Sequence, residues 1–433
     1  MGDRTPSDVA DIVDVVDVVI VGAGAAGLAA AIFTRREHPH LRVVVLDGAA
    51  KPGAKILVSG GTRCNVTNAI VSETDFWGGK RTIIRRVLHA LPVAATIRFF
   101  EDLGVPLHEE AGGKLFPDSN RARDVLDALL RGVSASGAEL RSGERVLDVQ
   151  RADQGFLIDT SAGPVACRAV VLATGGRSLP KTGSDGLGYE LARALGHSLV
   201  AQTPGLAPLV LDPAAAQSVH AGLSGIAVEG EISVWVDGAI ATRLAGALLF
   251  THFGVSGPLV LNVSRHWARA RLEGRGVRLT LNFYPGDAFD AVDARWIAAA
   301  RERPGATLRS VLADRLPATV AQALLPALQL QADRTLSTVP RDDRRRLVHA
   351  LIAWPLPVIE TRGYNYAEVT TGGVPLEEID PGTMESRMCP RLFFAGEILD
   401  VDGRIGGFNF QWAWSSGRVV ARGMRALGGS PSR

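Results

Sequence analysis

Three glycines near the start of the chain have the spacing of a phosphate-binding turn. Gly22, Gly24 and Gly27 form a GxGxxG segment between the β-branched run at residues 18–21 and an alanine-rich stretch at residues 28–36. In this context the first glycine permits a tight turn, the second lets a pyrophosphate approach the backbone, and the third lets the helix pack on the strand. The helix N-terminus would supply free N–H groups and a positive dipole end for the phosphates.

A carboxylate follows at the distance expected for recognition of a ribose. Asp47 ends a second β-branched run at residues 43–46, and an acid about 20 residues after the glycines accepts a hydrogen bond from a ribose hydroxyl. Because a carboxylate repels a 2′-phosphate, the site favours FAD or NAD over NADP. The alternative, a glycine-rich turn without a ligand, is the weaker interpretation because both strands and the acid are in place.

A longer glycine-rich segment gives the chain a specific family resemblance. Residues 53–68, GAKILVSGGTRCNVTN, are similar to the GRKLLISGGGRCNFTN signature of the bacterial BaiN-like family of NAD(P)/FAD-dependent oxidoreductases, some of which are called the aminoacetone oxidase family. Four further segments agree with that family: residues 101–117, 172–189, 250–258 and 394–413. Together these segments cover nearly the whole chain.

The chain departs from the family pattern at four positions. Ala54 stands where Arg or Lys is usual, Thr62 replaces a glycine, and Phe408 replaces a frequent tyrosine. Asp47 stands where Glu is common, which keeps the carboxylate. Only Ala54 removes a side chain that could contact a phosphate or the adenine.

The resemblance implies a tightly but non-covalently bound FAD. The turn at residues 173–176 would approach the adenylate half, and Glu397 would bind the ribityl chain or a phosphate-bound water. The helix that opens at residues 406–409 would face the flavin N1 and O2 edge and stabilise the anionic reduced flavin. The residues expected to contact FAD are Gly22, Ala23, Gly24, Ala25, Ala26, Gly27, Asp47, Gly48, Lys55, Ser59, Gly60, Gly61, Arg63, Cys64, Asn65, Val146, Thr174, Gly175, Gly176, Gly396, Glu397, Asp400, Gly406, Gly407, Phe408 and Asn409.

By the same resemblance, the activity would be a hydride transfer. NADH or NADPH would donate the hydride, and flavin N5 would pass it to a small organic acceptor such as a compound with an activated C=C bond. No second GxGxxG segment is present for a nicotinamide, so NAD(P)H would dock transiently. Three alternatives stay open: a flavin oxidase that oxidises a small amine or carbonyl compound with O2, an RNA-modifying flavoprotein, and a redox sensor without turnover.

Three residues are candidates for proton transfer or substrate binding. His252 could exchange a proton near neutral pH, Tyr366 could protonate a substrate carbon, and Arg404 could hold an anionic substrate or the flavin. A structural role for the first two and a surface position for Arg404 are about as plausible. Cys64 lacks the CxxC partner of a redox disulfide, so packing is favoured, and the three separated cysteines indicate no metal site.

The pattern of elements predicts an α/β fold with a discontinuous Rossmann-like FAD-binding domain and an inserted domain. Alternation at residues 231–236 followed by Asp237-Gly238 is a hairpin signal and indicates an antiparallel, β-barrel-like sheet. Helical periodicity interrupted by prolines then indicates several short helices that form a lid. The expected parts are the FAD domain at 15–195 and 354–433, the β insertion at 196–285 and the helical insertion at 286–353.

Composition limits the partners that we expect. The 433 residues carry 47 basic and 45 acidic side chains, a net charge of +2, which gives no electrostatic footprint for nucleic acid or an anionic membrane. The aspartate-rich first 17 residues lack the features of a signal peptide, and no apolar run approaches the ~20 residues of a membrane span. We therefore expect a cytoplasmic enzyme with a small-molecule substrate, and the oligomeric state stays open.

Overall fold

The computed structural model describes residues 15–215 and 218–428. The chain divides into two compact units, the first formed by the residues up to Gln202 and from Glu368 onward, the second by Thr203–Ala367. Each unit has its own cluster of buried hydrophobic side chains. Residues 1–14, which make up most of the acidic N-terminal segment, lie outside the described residues. The structure therefore does not test the expectation that this segment is not a signal peptide.

The first unit is built on a seven-stranded sheet with a parallel centre. Its parallel strands are Glu139–Ser142, Val43–Asp47, Val15–Val21, Gly163–Leu172 and Leu392–Phe394, in that spatial order. Gly155–Thr160 and Val146–Ala152 extend it in antiparallel register. Val18, Val19 and Ile20 are fully buried, as expected for a β-branched strand covered on both faces.

Helices cover this sheet. Ala25–Glu37 packs so closely on Phe408–Gly423 that an added Cβ on Gly417 would lie 3.0 Å from Ala26 O. The other helices of the unit are Ala54–Thr62, Arg81–Leu88, Val93–Asp102, Ala122–Ser136 and Leu187–Ala194. Its short strands are Thr67–Asn68, Phe76–Gly78, Leu107–Glu110, Lys114–Pro117, Val369–Gly373 and Val401–Gly403, and the strand Val200–Gly205 carries the chain into the second unit.

The second unit contains a seven-stranded antiparallel sheet. Its strands lie in the order Trp354–Leu356, Val277–Asn282, Ala227–Val236, Ala239–Thr251, Gly254–Ser256, Leu209–Leu211 and Val358–Thr361. Ile232 and Val234 are fully buried, whereas Ser233 and Trp235, which follow them, are partly exposed. This is the period-2 alternation of a sheet with one buried face. The Asp237-Gly238 pair forms the predicted hairpin turn, with φ of +50° and +85°.

Helices complete the second unit. The helix Pro258–Leu272 comes directly after the strand Gly254–Ser256 in the sequence. The helical part consists of Phe289–Glu302, Leu308–Ala313, Ala318–Ala327 and Arg341–Ile352.

The boundary that the sequence predicts at residue 354 is wrong. Residues 354–361 pair in the sheet of the second unit and not in the FAD domain, because Leu356 lies opposite Leu279 and Glu360 lies opposite Val210. The α/β fold class with a Rossmann-type parallel sheet is confirmed. In the part of the chain that the structure describes, no helix has the length and apolar character to cross a membrane.

Candidate cofactor site

The turn at residues 22–27 has the backbone that a phosphate site needs. Gly22 has a φ of +104°, and a Cβ there would lie 2.6 Å from the Ala173 carbonyl oxygen. A Cβ on Gly27 would lie 1.9 Å from the Gly22 carbonyl oxygen, whereas one on Gly24 would meet no atom within 4 Å. Packing therefore requires Gly22 and Gly27, while Gly24 faces open space at the start of Ala25–Glu37, a helix without a side-chain cap.

Asp47 ties this turn to the neighbouring strand. Its Oδ2 accepts a 2.7 Å hydrogen bond from Ala23 N, and its Oδ1 accepts a 2.8 Å bond from Ala49 N. Each carboxylate oxygen has a further lone pair, so the same side chain can also accept from a ribose hydroxyl. A Cβ on Gly48 would lie 3.2 Å from the Cβ of Arg145, the residue before the predicted contact Val146.

The loop after Lys55 is bent by left-handed backbone. The helix Ala54–Thr62 breaks at Ser59, whose ψ is +149°. Four of the next five residues have φ between +54° and +69°: Gly60, Gly61, Thr62 and Cys64. Glycine adopts this conformation at little cost, but a β-branched residue is strained there. The replacement of the family glycine by Thr62 therefore places strain in this loop.

Lys55, Ser178, Thr370 and Glu397 form one hydrogen-bonded group, which we call the Lys55 cluster. The Lys55 ammonium donates to Glu397 Oε2 at 2.6 Å and to Ser178 Oγ at 2.5 Å. Ser178 Oγ donates to Glu397 Oε1 at 3.0 Å, and Thr370 N donates to the same oxygen at 2.9 Å. The Lys55 and Glu397 side chains remain 26% and 18% exposed, so a ligand can still reach both charges.

Residues that we expect to contact FAD lie close together around this cluster, although they come from four segments that are far apart in the sequence. A Cβ on Gly176 would lie 2.7 Å from Glu397 Oε1, and one on Gly396 would lie 2.7 Å from the Ala26 Cβ. A Cβ on Gly22 would lie 3.2 Å from the Cα of Thr174. The glycine turn, the Lys55 loop, residues 174–176 and residues 396–397 are therefore one continuous surface. Sequence reasoning missed Ser178 and Thr370 as members, although Ser178 lies in a segment of the resemblance, residues 172–189.

Two residues that we expect to contact FAD have a buried side-chain oxygen without a hydrogen-bond partner. Asn65 Oδ1 and Thr174 Oγ1 are buried, and neither has a hydrogen bond to another described residue. An unsatisfied buried polar atom costs about 1–3 kcal/mol. A bound ligand or water that donates to these atoms would remove that cost. Gly175, between Thr174 and the cluster, has a φ of +70°.

The last helix of the first unit also begins on glycine. Gly407 has a φ of +95°, a Cβ there would lie 2.4 Å from the Thr67 carbonyl, and no side chain caps the helix Phe408–Gly423. Asn409 fixes the preceding loop, since its side chain accepts from Gly403 N at 2.8 Å and donates to Gly403 O at 2.9 Å. The free N–H groups of this helix start favour an anionic neighbour.

Gly396, Asp400 and Gly406, which are also predicted to contact FAD, make hydrogen bonds within the protein. Gly406, before the helix, has a φ of +121°, and its carbonyl accepts from Asn68 Nδ2 at 3.2 Å. Gly396 has a φ of +78°, and its N–H donates to Ser416 Oγ at 3.0 Å. Asp400 accepts from Gly79 N at 2.8 Å through its carbonyl. These contacts fix the backbone on both sides of Glu397.

Two predicted arginine contacts are engaged with acids. Arg63 makes a two-pronged pair with Glu110, at 2.6 and 3.1 Å, and its guanidinium lies 4.1 Å from the Phe116 ring centroid. Arg404 pairs with Asp75 at 2.8 Å and lies over the Phe408 ring at 4.3 Å. Both would have to leave or share these partners to hold a ligand.

Cys64 is a buried thiol. Burial raises its pKa to about 12, although a hydrogen bond with Ser59 opposes the shift. The side chain is therefore protonated at neutral pH and lacks the thiolate that redox chemistry needs. All three cysteines are free and buried.

His252 and Tyr366, the other two candidates for proton transfer, lie in the second unit. His252 is exposed in the turn between Ala239–Thr251 and Gly254–Ser256, with its ring 5.1 Å from that of Phe253. Tyr366 is 50% exposed and lies against Arg362.

The residues present fit a bound FAD. The open space at Gly24 beside an uncapped helix start suits a pyrophosphate. Asp47 has acceptor capacity for a ribose, and the Lys55 cluster offers an accessible fixed ammonium. A second uncapped helix start, at Phe408–Gly423, favours negative charge.

Comparison with known proteins identifies the family of this chain. A family model described as the HI0933-like protein Rossmann domain matches residues 16–423. The chain is 33% identical over 407 residues to the ribosomal RNA dihydrouridine synthase of Escherichia coli (strain K12), covering 94% of this chain and 97% of that protein. It is 30% identical over 401 residues to the 3-dehydro-bile acid delta(4,6)-reductase of Clostridium scindens, covering 93% and 97%.

A structural comparison bears on the fold. A quinol–fumarate reductase structure superposes with a TM-score of 0.50 and 16% identity, over 96% of this chain and 72% of that chain, which indicates a shared fold alone. The family model and the two relatives, by contrast, match almost the full length of this chain. The resemblance found in the motifs is confirmed: the chain belongs to the HI0933-like Rossmann-domain family, the BaiN-like family of FAD-dependent oxidoreductases.

Proposed function

We propose that this protein is a reductase for a C=C bond conjugated to a carbonyl group, with NADH or NADPH as the source of electrons. FAD, when bound, supplies the hydride chemistry that side chains lack. The observation that carries the proposal is the chemistry common to the two relatives' names. A delta(4,6)-reductase of a 3-dehydro-bile acid and a dihydrouridine synthase both reduce a carbon–carbon double bond conjugated to a carbonyl.

The chain's own residues would bind and orient the cofactor. The glycine turn would hold the pyrophosphate on backbone N–H groups, and Asp47 would fix a ribose. Lys55 is held by Glu397 and Ser178, so its charge is fixed before a ligand arrives. Fixed charges and dipoles need no reorganisation when charge develops during a reaction, which is the source of their catalytic effect.

A second candidate function is reduction of a uridine in ribosomal RNA. It is supported by the 33% identity to the Escherichia coli dihydrouridine synthase over 94% of this chain. The same class of bond would be reduced, because the uracil C5–C6 double bond is conjugated to the C4 carbonyl. The net charge of +2 weighs against extended phosphate contacts, which supply most non-specific RNA affinity.

Anaerobic mixing of the FAD-loaded protein with NADH or NADPH tests the proposal. We expect saturable bleaching of the flavin absorbance by one nicotinamide, followed by recovery of the absorbance when a 3-oxo-Δ4 steroid acid is added. Recovery only with a uridine-containing rRNA fragment would favour the second candidate. Bleaching by dithionite alone, or rapid recovery only with O2 and peroxide release, would contradict both.

A further inference from the structure

An arginine in the second unit lies over two aromatic rings. The Arg362 guanidinium carbon lies 3.5 Å from the Tyr366 ring centroid and 4.3 Å from the Phe253 ring centroid. Tyr366 is half exposed, while Arg362 and Phe253 are partly buried. We call these three residues the Arg362 stack.

The sheet of the second unit builds this stack from separate segments. Arg362 follows the strand Val358–Thr361, which pairs with Leu209–Leu211, and that strand pairs in turn with Gly254–Ser256 directly after Phe253. The backbone N–H of Arg362 donates to Pro208 O at 2.9 Å. A turn then brings Tyr366 back, since its N–H donates to Gly363 O at 3.1 Å. The guanidinium is therefore positioned before any ligand binds.

The Arg362 guanidinium has no acidic partner among the described residues. In the same unit Arg275 pairs with Asp237 at 2.8 Å, and Arg344 pairs with Asp293 at 2.8 Å. Among the described residues, the recorded partners of the Arg362 side chain are the two rings. The ring contacts leave the guanidinium N–H donors without an oxygen acceptor, and the planar fork of these donors matches the two oxygens of a carboxylate.

We propose that the Arg362 stack is a recognition site for the carboxylate of a small, flat organic molecule. The two rings would cover the apolar part of such a ligand, and the guanidinium edge would bind its two oxygens. Exposed His252, whose ring lies 5.1 Å from that of Phe253, adds a second donor beside the stack. The inference goes beyond the proposed function, does not depend on it, and makes Arg362 the ligand-binding residue of this site.

A calorimetric titration of the oxidised, FAD-loaded full chain with trans-cinnamate and with neutral cinnamamide tests this site. No nicotinamide is present, so binding is measured without turnover, and failure of the site is distinguishable from failure of the reductase proposal. We expect cinnamate to bind at least about tenfold more tightly than cinnamamide, because a charge-assisted bidentate pair is lost with the amide. Arg362→Met should remove this preference.

Matched variants separate the stack from a general charge effect. Arg278→Met is the control, since Arg278 also lies over a ring, Trp235, at 4.3 Å in the same unit, and it should leave cinnamate affinity unchanged. Arg362→Lys keeps the charge without the planar fork and should lose most of the preference. Equal binding of cinnamate and cinnamamide, no saturable cinnamate binding, or an equal loss in Arg278→Met would overturn the proposal. Tighter binding of inorganic phosphate than of cinnamate would overturn the assignment to a carboxylate.

Discussion

Two polar clusters in the first unit, the Lys55 cluster and a cluster around His197, differ in how accessible they are. In what we call the His197 cluster, His197 Nδ1 lies 2.7 Å from Glu378 Oε2 and His197 Nε2 lies 2.7 Å from Ser386 Oγ. Because a carboxylate only accepts, Nδ1 donates to Glu378 and Nε2 accepts from the Ser386 hydroxyl. The order of groups is that of a serine–histidine–acid triad.

The His197 cluster nevertheless has no accessible nucleophile. The His197 side chain is 0% exposed, and Ser386 is 6% exposed. Ser386 Oγ also accepts from Met388 N at 2.9 Å and from Cys389 N at 2.8 Å. Each polar atom named here is satisfied inside the protein, so the cluster ties chain segments together and presents nothing to a substrate.

The Lys55 cluster has the opposite character. Its two charged side chains are partly exposed, and Gly176 beside Glu397 and Thr370 lacks the side chain that would otherwise crowd them. A serine–histidine–acid arrangement therefore does not by itself indicate a catalytic site. Accessibility of the charges beside glycine-lined space separates a ligand site from a structural network.

The largest effect that we expect comes from closing the glycine turn. In Gly27→Ala the new Cβ would lie 1.9 Å from a backbone oxygen, so the free energy of unfolding should fall by about 3 kcal/mol, the upper end of the usual cost of overpacking. Urea denaturation measures it. Gly305→Ala, where a Cβ meets no atom within 4 Å, is the control, and equal stability of the two variants would contradict the packing described for the turn.

Removal of the ammonium should affect both stability and FAD. Lys55→Met leaves the Glu397 carboxylate without its cation, which should lower the unfolding free energy by about 1–3 kcal/mol and lower the FAD content of the purified protein. Denaturation and flavin absorbance measure the two effects. Lys80→Met, at a lysine that is 69% exposed, should change neither, and normal FAD content in Lys55→Met would remove Lys55 from the site.

The His197 cluster should respond differently. Ser386→Ala removes a partner of His197 and an acceptor for two backbone N–H groups, so stability should fall by about 1–3 kcal/mol. FAD affinity, measured by titration of the apoprotein, should stay unchanged. A fall in FAD affinity with intact stability would abolish the distinction between the clusters.

The smallest effect is a pH dependence of stability. Burial lowers the pKa of His197 below its ordinary 6.5, although Glu378 opposes the shift. The unfolded chain therefore binds the proton more readily, so this contribution is complete above about pH 6.5 and is lost as pH falls below it. Urea denaturation at about pH 8 and about pH 5.5 should show a smaller loss in His197→Gln than in the parent, and equal losses would contradict the assignment.

Local pattern allowed much of the fold to be predicted. Strand, glycine turn and helix follow one another at residues 18–36, and each depends on neighbours in sequence. The boundary near residue 354 could not be predicted, because the assignment of Trp354–Leu356 depends on pairing with the distant strand Val277–Asn282. Side-chain partners were equally hidden. Lys55 and Glu397 are 342 positions apart, and the pairing of Arg63 with Glu110 appears only once the chain is folded.

The most direct test of the central claim, that the glycine turn of the first unit holds FAD, is a titration of Gly24→Ala apoprotein with FAD. Gly24 has a φ of −82°, and an added Cβ meets no protein atom, so the variant should melt at the temperature of the parent. Its methyl group would occupy the space assigned to the pyrophosphate, so FAD should bind at least about tenfold more weakly, while Gly305→Ala binds normally. FAD affinity equal to the parent's would contradict the account.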